Sequence, residues 1–216
     1  MNRWKISLLL SVLMVLFTVA ACSKPAEETG TEGDAMTTAE APPPAPPPAP
    51  AAGPSATATL EGAPEDSDFS GTVSFTEEGG GVRVLVDLAG VDTPGKHGFH
   101  IHETGDCTHG TDGKHFTTAG GHFNPTGAEH ACPPTEPRHA GDLGNVEVGA
   151  NGSGRMEMTA SGVSLSGPNS IVGKAVILHA GEDDCKTQPT GNAGDRLACG
   201  VVQDGSMALT TDGSGM

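Results

Sequence analysis

His100 and His102 stand two residues apart in Gly98-Phe-His-Ile-His102. Alternate side chains of an extended strand share a face, so this spacing sets two imidazoles side by side without any special backbone. A third, His179, closes the apolar run Ala175-Val-Ile-Leu-His179. Four more candidate ligands lie among Gly and Pro: His122 in Gly121-His-Phe-Asn-Pro125, then His130, and His139 and Asp142 in His139-Ala-Gly-Asp142. Three imidazoles and one carboxylate form a closed tetrahedral shell for zinc, and an all-imidazole set suits copper. Taken singly, each histidine is more often a surface or hydrogen-bonded residue than a ligand. Eight of the chain's nine histidines fall between positions 100 and 179, however, six of them at these candidate positions, in a chain with only 11 Lys plus Arg. That concentration favours the ligand reading.

Such ligands need rigid elements to hold them. From Thr57 onward, short segments alternate with a period of two: Ala58 to Glu61, Gly71 to Phe75, Val82 to Leu88, Gly98 to Glu103, Asn145 to Val148, Arg155 to Thr159, Ala175 to His179 and Ala198 to Val202. Turn sequences such as Glu78-Gly-Gly-Gly81, Asn151-Gly-Ser-Gly154 and Ser166-Gly-Pro-Asn169 separate them. With 32 Gly and 17 Pro and no Tyr, long helices are disfavoured. The pattern predicts an all-β Greek-key sandwich or barrel of about eight antiparallel strands. Two stretches, Thr104 to Asp142 and Ala180 to Asp195, lack strand patterning. Structureless loops this long are uncommon unless functional or braced, and these two hold most of the histidines and three of the five cysteines.

The net charge of -16 repels a phosphate backbone, and the scarcity of aromatic residues leaves no stacking platform, so nucleic acid is excluded as a partner. At the N-terminus, Arg3 and Lys5 precede an apolar run that ends in Val19-Ala-Ala-Cys22. A basic start, a short apolar segment and small residues at a cleavage point read as a secretory signal over 1–21. Cys22 after Ala-Ala resembles the lipobox of bacterial lipoproteins, which predicts lipidation there and a membrane anchor. Residues 22–56, with the run Ala41-Pro-Pro-Pro-Ala-Pro-Pro-Pro-Ala-Pro50, read as an acidic, semi-rigid spacer. The folded domain is expected over 57–203, and 204–216 as a flexible tail. Four cysteines remain, which pair in an oxidising compartment in one of three ways. One of these, Cys107 with Cys199, would tie the first long loop to the last strand and leave Cys132 with Cys185.

The segments Gly98-Phe-His-Ile-His-Glu103, Gly121-His-Phe-Asn-Pro125, Arg138-His-Ala-Gly-Asp-Leu-Gly-Asn145 and Gly191-Asn-Ala-Gly-Asp-Arg-Leu-Ala-Cys-Gly200 resemble the signature segments of the copper-zinc superoxide dismutase family, in family order. The resemblance covers roughly Thr57 to Gln203. It implies His100, His102, His122 and His179 as copper ligands, and His122, His130, His139 and Asp142 as zinc ligands. His122 would bridge the two metals through both ring nitrogens. It further implies Arg196 as the anion-guiding residue beside copper, Asp183 as the carboxylate linking a copper-side to a zinc-side histidine, and His97 as structural. The implied reaction is the dismutation of superoxide to oxygen and hydrogen peroxide, with His122 supplying a proton when the bridge opens. His109 and His115 sit in a loop segment that does not align with the family segments; they read as solvated loop residues, with transient metal capture as the alternative.

Two departures from the family pattern stand out. Cys132 lies two residues after His130 and Cys185 two after Asp183, which in the family reaches toward that same histidine. They are therefore predicted to be neighbours and to form a second disulfide bracing the two long loops. Glu182, Asp184 and Asp195 add negative charge around Asp183 and Arg196, which predicts weaker attraction for an anion than a basic rim would give. A periplasmic copper- or zinc-buffering protein on the same fold is the alternative function, and retention of every ligand and of Arg196 counts against it. The N-terminal signal implies a bacterial cell envelope, periplasmic or outer-membrane associated. Family members dimerise through different surfaces, and a homodimer is compatible with this sequence.

Overall fold

Alternation of small or branched apolar residues with polar ones makes each strand one wall of a common core. In β1 (Ser55–Gly62), β2 (Ser70–Glu78) and β3 (Gly81–Ala89), Ala56, Ala58, Leu60, Val73, Phe75, Val82, Val84, Val86 and Leu88 are buried. Their polar neighbours face outward. Six further strands follow: β4 (Gly95–His102), β5 (Asp142–Val148), β6 (Gly154–Ala160), β7 (Ala175–His179), β8 (Arg196–Val201) and the two-residue β9 (Gln203–Asp204). The sheet runs β2-β3-β6-β5-β4-β7-β8-β1, and a β1–β2 pairing closes it into an eight-stranded antiparallel barrel. Closure removes the exposed edges that an open sheet of this length would offer to other chains. The β3–β4 and β6–β7 connections skip neighbours, as in a Greek key. The computed structural model describes residues 53–64, 68–109 and 114–205. The expected signal, Cys22, most of the spacer and nearly all of the tail lie outside these residues.

The expected all-β fold is found, with β9 added on β1 as a ninth, very short strand. The ladder begins two residues before Thr57 and ends one after Gln203. Phe75, Phe99, Leu60, Ile101 and Leu178 are among the largest fully buried side chains. Each such burial contributes about 1.5–3 kcal/mol relative to exposure.

Two strands depart from the alternation, and they position the site. The last six residues of β4 and all five of β7 are buried. Phe99, Ile101, Val176 and Leu178 belong to the barrel core. His100, His102 and His179 therefore project from the outer face, which the two long loops cover. The pairing sets His100 opposite Ile177 and His102 opposite Ala175. Register shifts fall between Gly98 and His100, and between Leu178 and His179. Bulges of this kind re-aim side chains beside functional sites. Elsewhere outside the barrel, Ala63, Phe116, Ala119, Ala175, Ile177 and Cys199 form a smaller apolar cluster, with Cys107 packed against it.

Candidate metal centre

Two groups of side chains converge on this outer face. His100, His102, His122 and His179 present ligand atoms all within 4.8 Å of one another, as do His122, His130, His139 and Asp142. All seven residues are buried. The first group comes from β4, β7 and the start of the loop segment at His122; the second comes from the first long loop and the start of β5. His122 belongs to both.

Hydrogen bonds select which nitrogen of each ring is left to bind. His102 Nδ1 donates to the Gly120 carbonyl at 2.9 Å, and His179 Nδ1 to the Gly194 carbonyl at 3.3 Å. Each leaves Nε2 buried without a partner. His100 is turned the other way, since its Nε2 donates to Asp183 Oδ2 at 2.8 Å and its Nδ1 is the partnerless atom. His130 Nε2 donates to Asp183 Oδ1 at 2.9 Å, and His130 Nδ1 lies 3.0 Å from Asp142 Oδ2. Outer contacts of this type fix the tautomer and orientation of metal-binding imidazoles.

His122 Nδ1 lies 2.8 Å from Asp142 Oδ1 and 3.4 Å from His139 Nδ1, while its buried Nε2 has no partner. One ring thus serves the Asp142 group with one nitrogen and has the other left for the all-imidazole group. Buried polar nitrogens without partners are costly. Four of them on the four imidazoles of one group are the donor set of a cation, so the residues fit a bound metal. The second group, with three imidazoles and a carboxylate, fits a tetrahedral divalent ion.

Electrostatics in the metal-free chain carries the same signature. Burial draws the His100 imidazolium down to about 4, despite its bond to Asp183. Burial likewise holds His102 and His179 well below the usual histidine range, and the Arg196 charge lowers both further. His130 is the exception. Burial opposes its charge, but the Asp142 and Asp183 carboxylates outweigh that and raise it to about 9. Burial pushes Asp142 and Asp183 up, yet their histidine partners win and hold both below the usual carboxylate range.

A pH prediction follows for the metal-free protein. His100, His102 and His179 have folded values below their unfolded value near 6.5, so the unfolded chain binds more protons in that window. Stability is therefore lost as pH falls from about 6.5 toward 4, and the two aspartates add to the loss below about 4. His130 acts oppositely: its contribution is present below about 6.5 and is lost as pH rises through 9. Thermal melts of metal-free protein should show a maximum near pH 6.5 with the steeper fall on the acid side. A melting temperature that rose from pH 6.5 to 5 would contradict this.

Arg196, at the start of β8, donates to the carbonyls of Phe116 and Gly120, the latter at 2.6 Å. Gly120 O therefore accepts from both Arg196 and His102, which fixes a cationic head beside the all-imidazole group. The disulfides Cys107–Cys199 and Cys132–Cys185 are both formed, with Cα separations of 5.6 and 4.9 Å. His97 has both ring nitrogens 2.8 Å from carbonyls, of Thr93 and His179, and takes no part in either group. His109 is exposed, as expected of a loop residue, but His115 is half-buried and both rings pack around Phe116. Solvation alone does not describe His115.

Some residues that shape the centre lie within the family segments without a role assigned to them from sequence. Asn145 clamps the Asp183 main chain, donating to its carbonyl at 3.0 Å and accepting from its N–H at 2.8 Å. Buried Arg138 donates to Asp142 O, Thr135 O and Ser161 Oγ, and so shapes the turn that carries His139. Gly191 has φ +65°, and a Cβ there would lie 1.9 Å from Asp183 Oδ1. Only glycine lets the second loop cross the Asp183–His130 bond that closely.

A family model described as copper/zinc superoxide dismutase matches residues 69–202. Among solved structures, the clock protein EA4 resembles this chain at 38% identity with a TM-score of 0.61, covering 69% of this chain and 94% of that one.

Proposed function

The chain belongs to the copper/zinc superoxide dismutase family, and we propose that it converts two superoxide anions and two protons to oxygen and hydrogen peroxide. In this reading His100, His102, His122 and His179 hold copper, and His122, His130, His139 and Asp142 hold zinc. Copper supplies a one-electron redox couple, and zinc supplies a redox-silent charge that orders the loop. The chain's own residues do the rest. His102 and His179 keep Nε2 free because Gly120 and Gly194 take their Nδ1 protons. Asp183 holds one ring of each group with its two oxygens. His122, facing both groups, is the residue placed to give and take a proton there.

The observation that carries an enzymatic reading over a metal-buffering one is Arg196. A protein that only stores metal needs the two donor sets, but has no need of a permanent cation tied to the same carbonyl as a ligand. Burial lowers the guanidinium value, yet an arginine remains charged at any working pH. It is suited to hold a small anion beside the four imidazoles. The two disulfides support an oxidising compartment. We further propose a lipid-anchored protein of a bacterial cell envelope, attached through Cys22 and open to homodimer formation.

The test is superoxide scavenging by the metal-loaded domain without its signal and spacer. Activity is expected, and its loss on copper chelation but not in metal-matched buffer. The salt profile is part of the same prediction. Glu182 is paired with Lys96 at 3.0 Å, which leaves Asp184 and Asp195 as exposed acids on the second loop. Weak net attraction predicts a rate that changes less than about threefold between low ionic strength and 0.15 M, where screening reaches about 8 Å. A steep fall with salt would refute that part; absence of scavenging would refute the whole reading.

A further inference from the structure

We propose that Gln188 is a positioning residue for His130, closing a latch by which the second loop retains the cation of the Asp142 group. This rests on the metal-centre reading above and deepens it. Gln188 Oε1 accepts from the His130 N–H at 2.7 Å, and Gln188 Nε2 donates to the His130 carbonyl at 2.8 Å. A single side-chain amide thus pairs with both polar groups of one residue, as a neighbouring strand would. Among the described residues the main chain supplies no partner for either group. An unpaired buried peptide group costs about 1–3 kcal/mol, so losing Gln188 would let this segment seek other partners and move the ring it carries.

Two further ties join the same segments. Asp183 Oδ1 accepts from His130 Nε2, and Cys132 is bonded to Cys185. Residues 130–132 are thus held at 183, 185 and 188 by a carboxylate, a disulfide and an amide. His130 is the only ligand so tied. The all-imidazole group takes its four rings from β4, β7 and the segment hydrogen-bonded to β4, and Gln188 is hydrogen-bonded to none of them. The latch should therefore act selectively on one of the two metals. Gln188 is itself exposed, so its replacement does not threaten the core.

The experiment uses the intact protein loaded with zinc and copper and the variants Gln188→Met and Gln188→Asn. Methionine keeps the length without donor or acceptor; asparagine keeps the amide but draws it back by one methylene. Zinc release is followed with a chromophoric chelator, copper release in parallel, and exchange of the His130 amide hydrogen by NMR. Partners that orient ligands typically contribute 10–100-fold to metal affinity. Zinc release about tenfold faster in both variants, with copper release within twofold of the parent and faster His130 exchange, is the expected result. Zinc release within twofold of the parent overturns the latch. Equal acceleration for both metals with a lowered melting temperature overturns it too, as the mark of a merely structural role. If the parent protein takes up no zinc, the metal-centre reading falls as well, which separates the two failures.

Discussion

His122→Ala should lose superoxide scavenging by at least about a hundredfold and should lose metal from both groups. The bound follows because groups that merely orient a ligand already contribute 10–100-fold, and His122 would be a ligand twice over. Its Nδ1 sits with Asp142 and His139, and its Nε2 is buried without a partner on the side of His100. The His100 and His122 rings stack with centroids 4.0 Å apart. The backbone at this position does not depend on the side chain. His122 forms a β-bridge with His102, and the flanking Gly121 and Phe123 are bonded to Glu103 and Ile101. The variant should therefore fold. His102→Ala is the control, since it should remove copper and leave zinc. Metal content per chain and scavenging, measured on both variants, decide the matter: activity within tenfold of the parent in His122→Ala would sink the bridging role.

Removing the Cys107–Cys199 bond, by the double change to Ala, should destabilise the protein by about 4 kcal/mol. The bond closes a sequence separation of 92 residues, and long closed loops restrict the unfolded chain most on the chain-entropy account. The loss should lower the melting temperature by about 10 °C, because 1 kcal/mol is about 2–4 °C in a domain near this size. The effect reaches the site as well. Cys107 and Cys199 lie with Phe116, Ala119 and Ile177 in the outer apolar cluster, and the Phe116 carbonyl is one of the two that hold Arg196. Loosening that cluster should reduce scavenging more than metal content. Calorimetry of the metal-free form and metal analysis of the loaded form check the two halves separately. A melting temperature within 3 °C of the parent would show the bond to be dispensable.

Much of the barrel was legible because strand periodicity is a local property. Val82 to Leu88 and Arg155 to Thr159 alternate for steric reasons that act within a few residues, and they became β3 and β6. The two loops were legible as interruptions of that rhythm. His100 and His102 could be paired on one face from their spacing alone. The buried acids and imidazoles could be grouped only through the family motifs, and the cysteine pairing stayed open until those motifs were read.

What the sequence by itself determined is the inventory: a period-two fold, two long loops, six histidines and one aspartate of the right chemistry, and a cation at Arg196. Only the tertiary structure decided which nitrogen each ring presents, because that choice depends on Gly120 O, Gly194 O and Asp183, all brought from far along the chain. It alone placed Gln188 on His130, 58 residues away, and Asn145 on Asp183, 38 away. Side-chain direction follows from local backbone geometry and can be read from spacing. A hydrogen-bond partner follows from how the barrel closes and where its loops return, and no local rule contains that information.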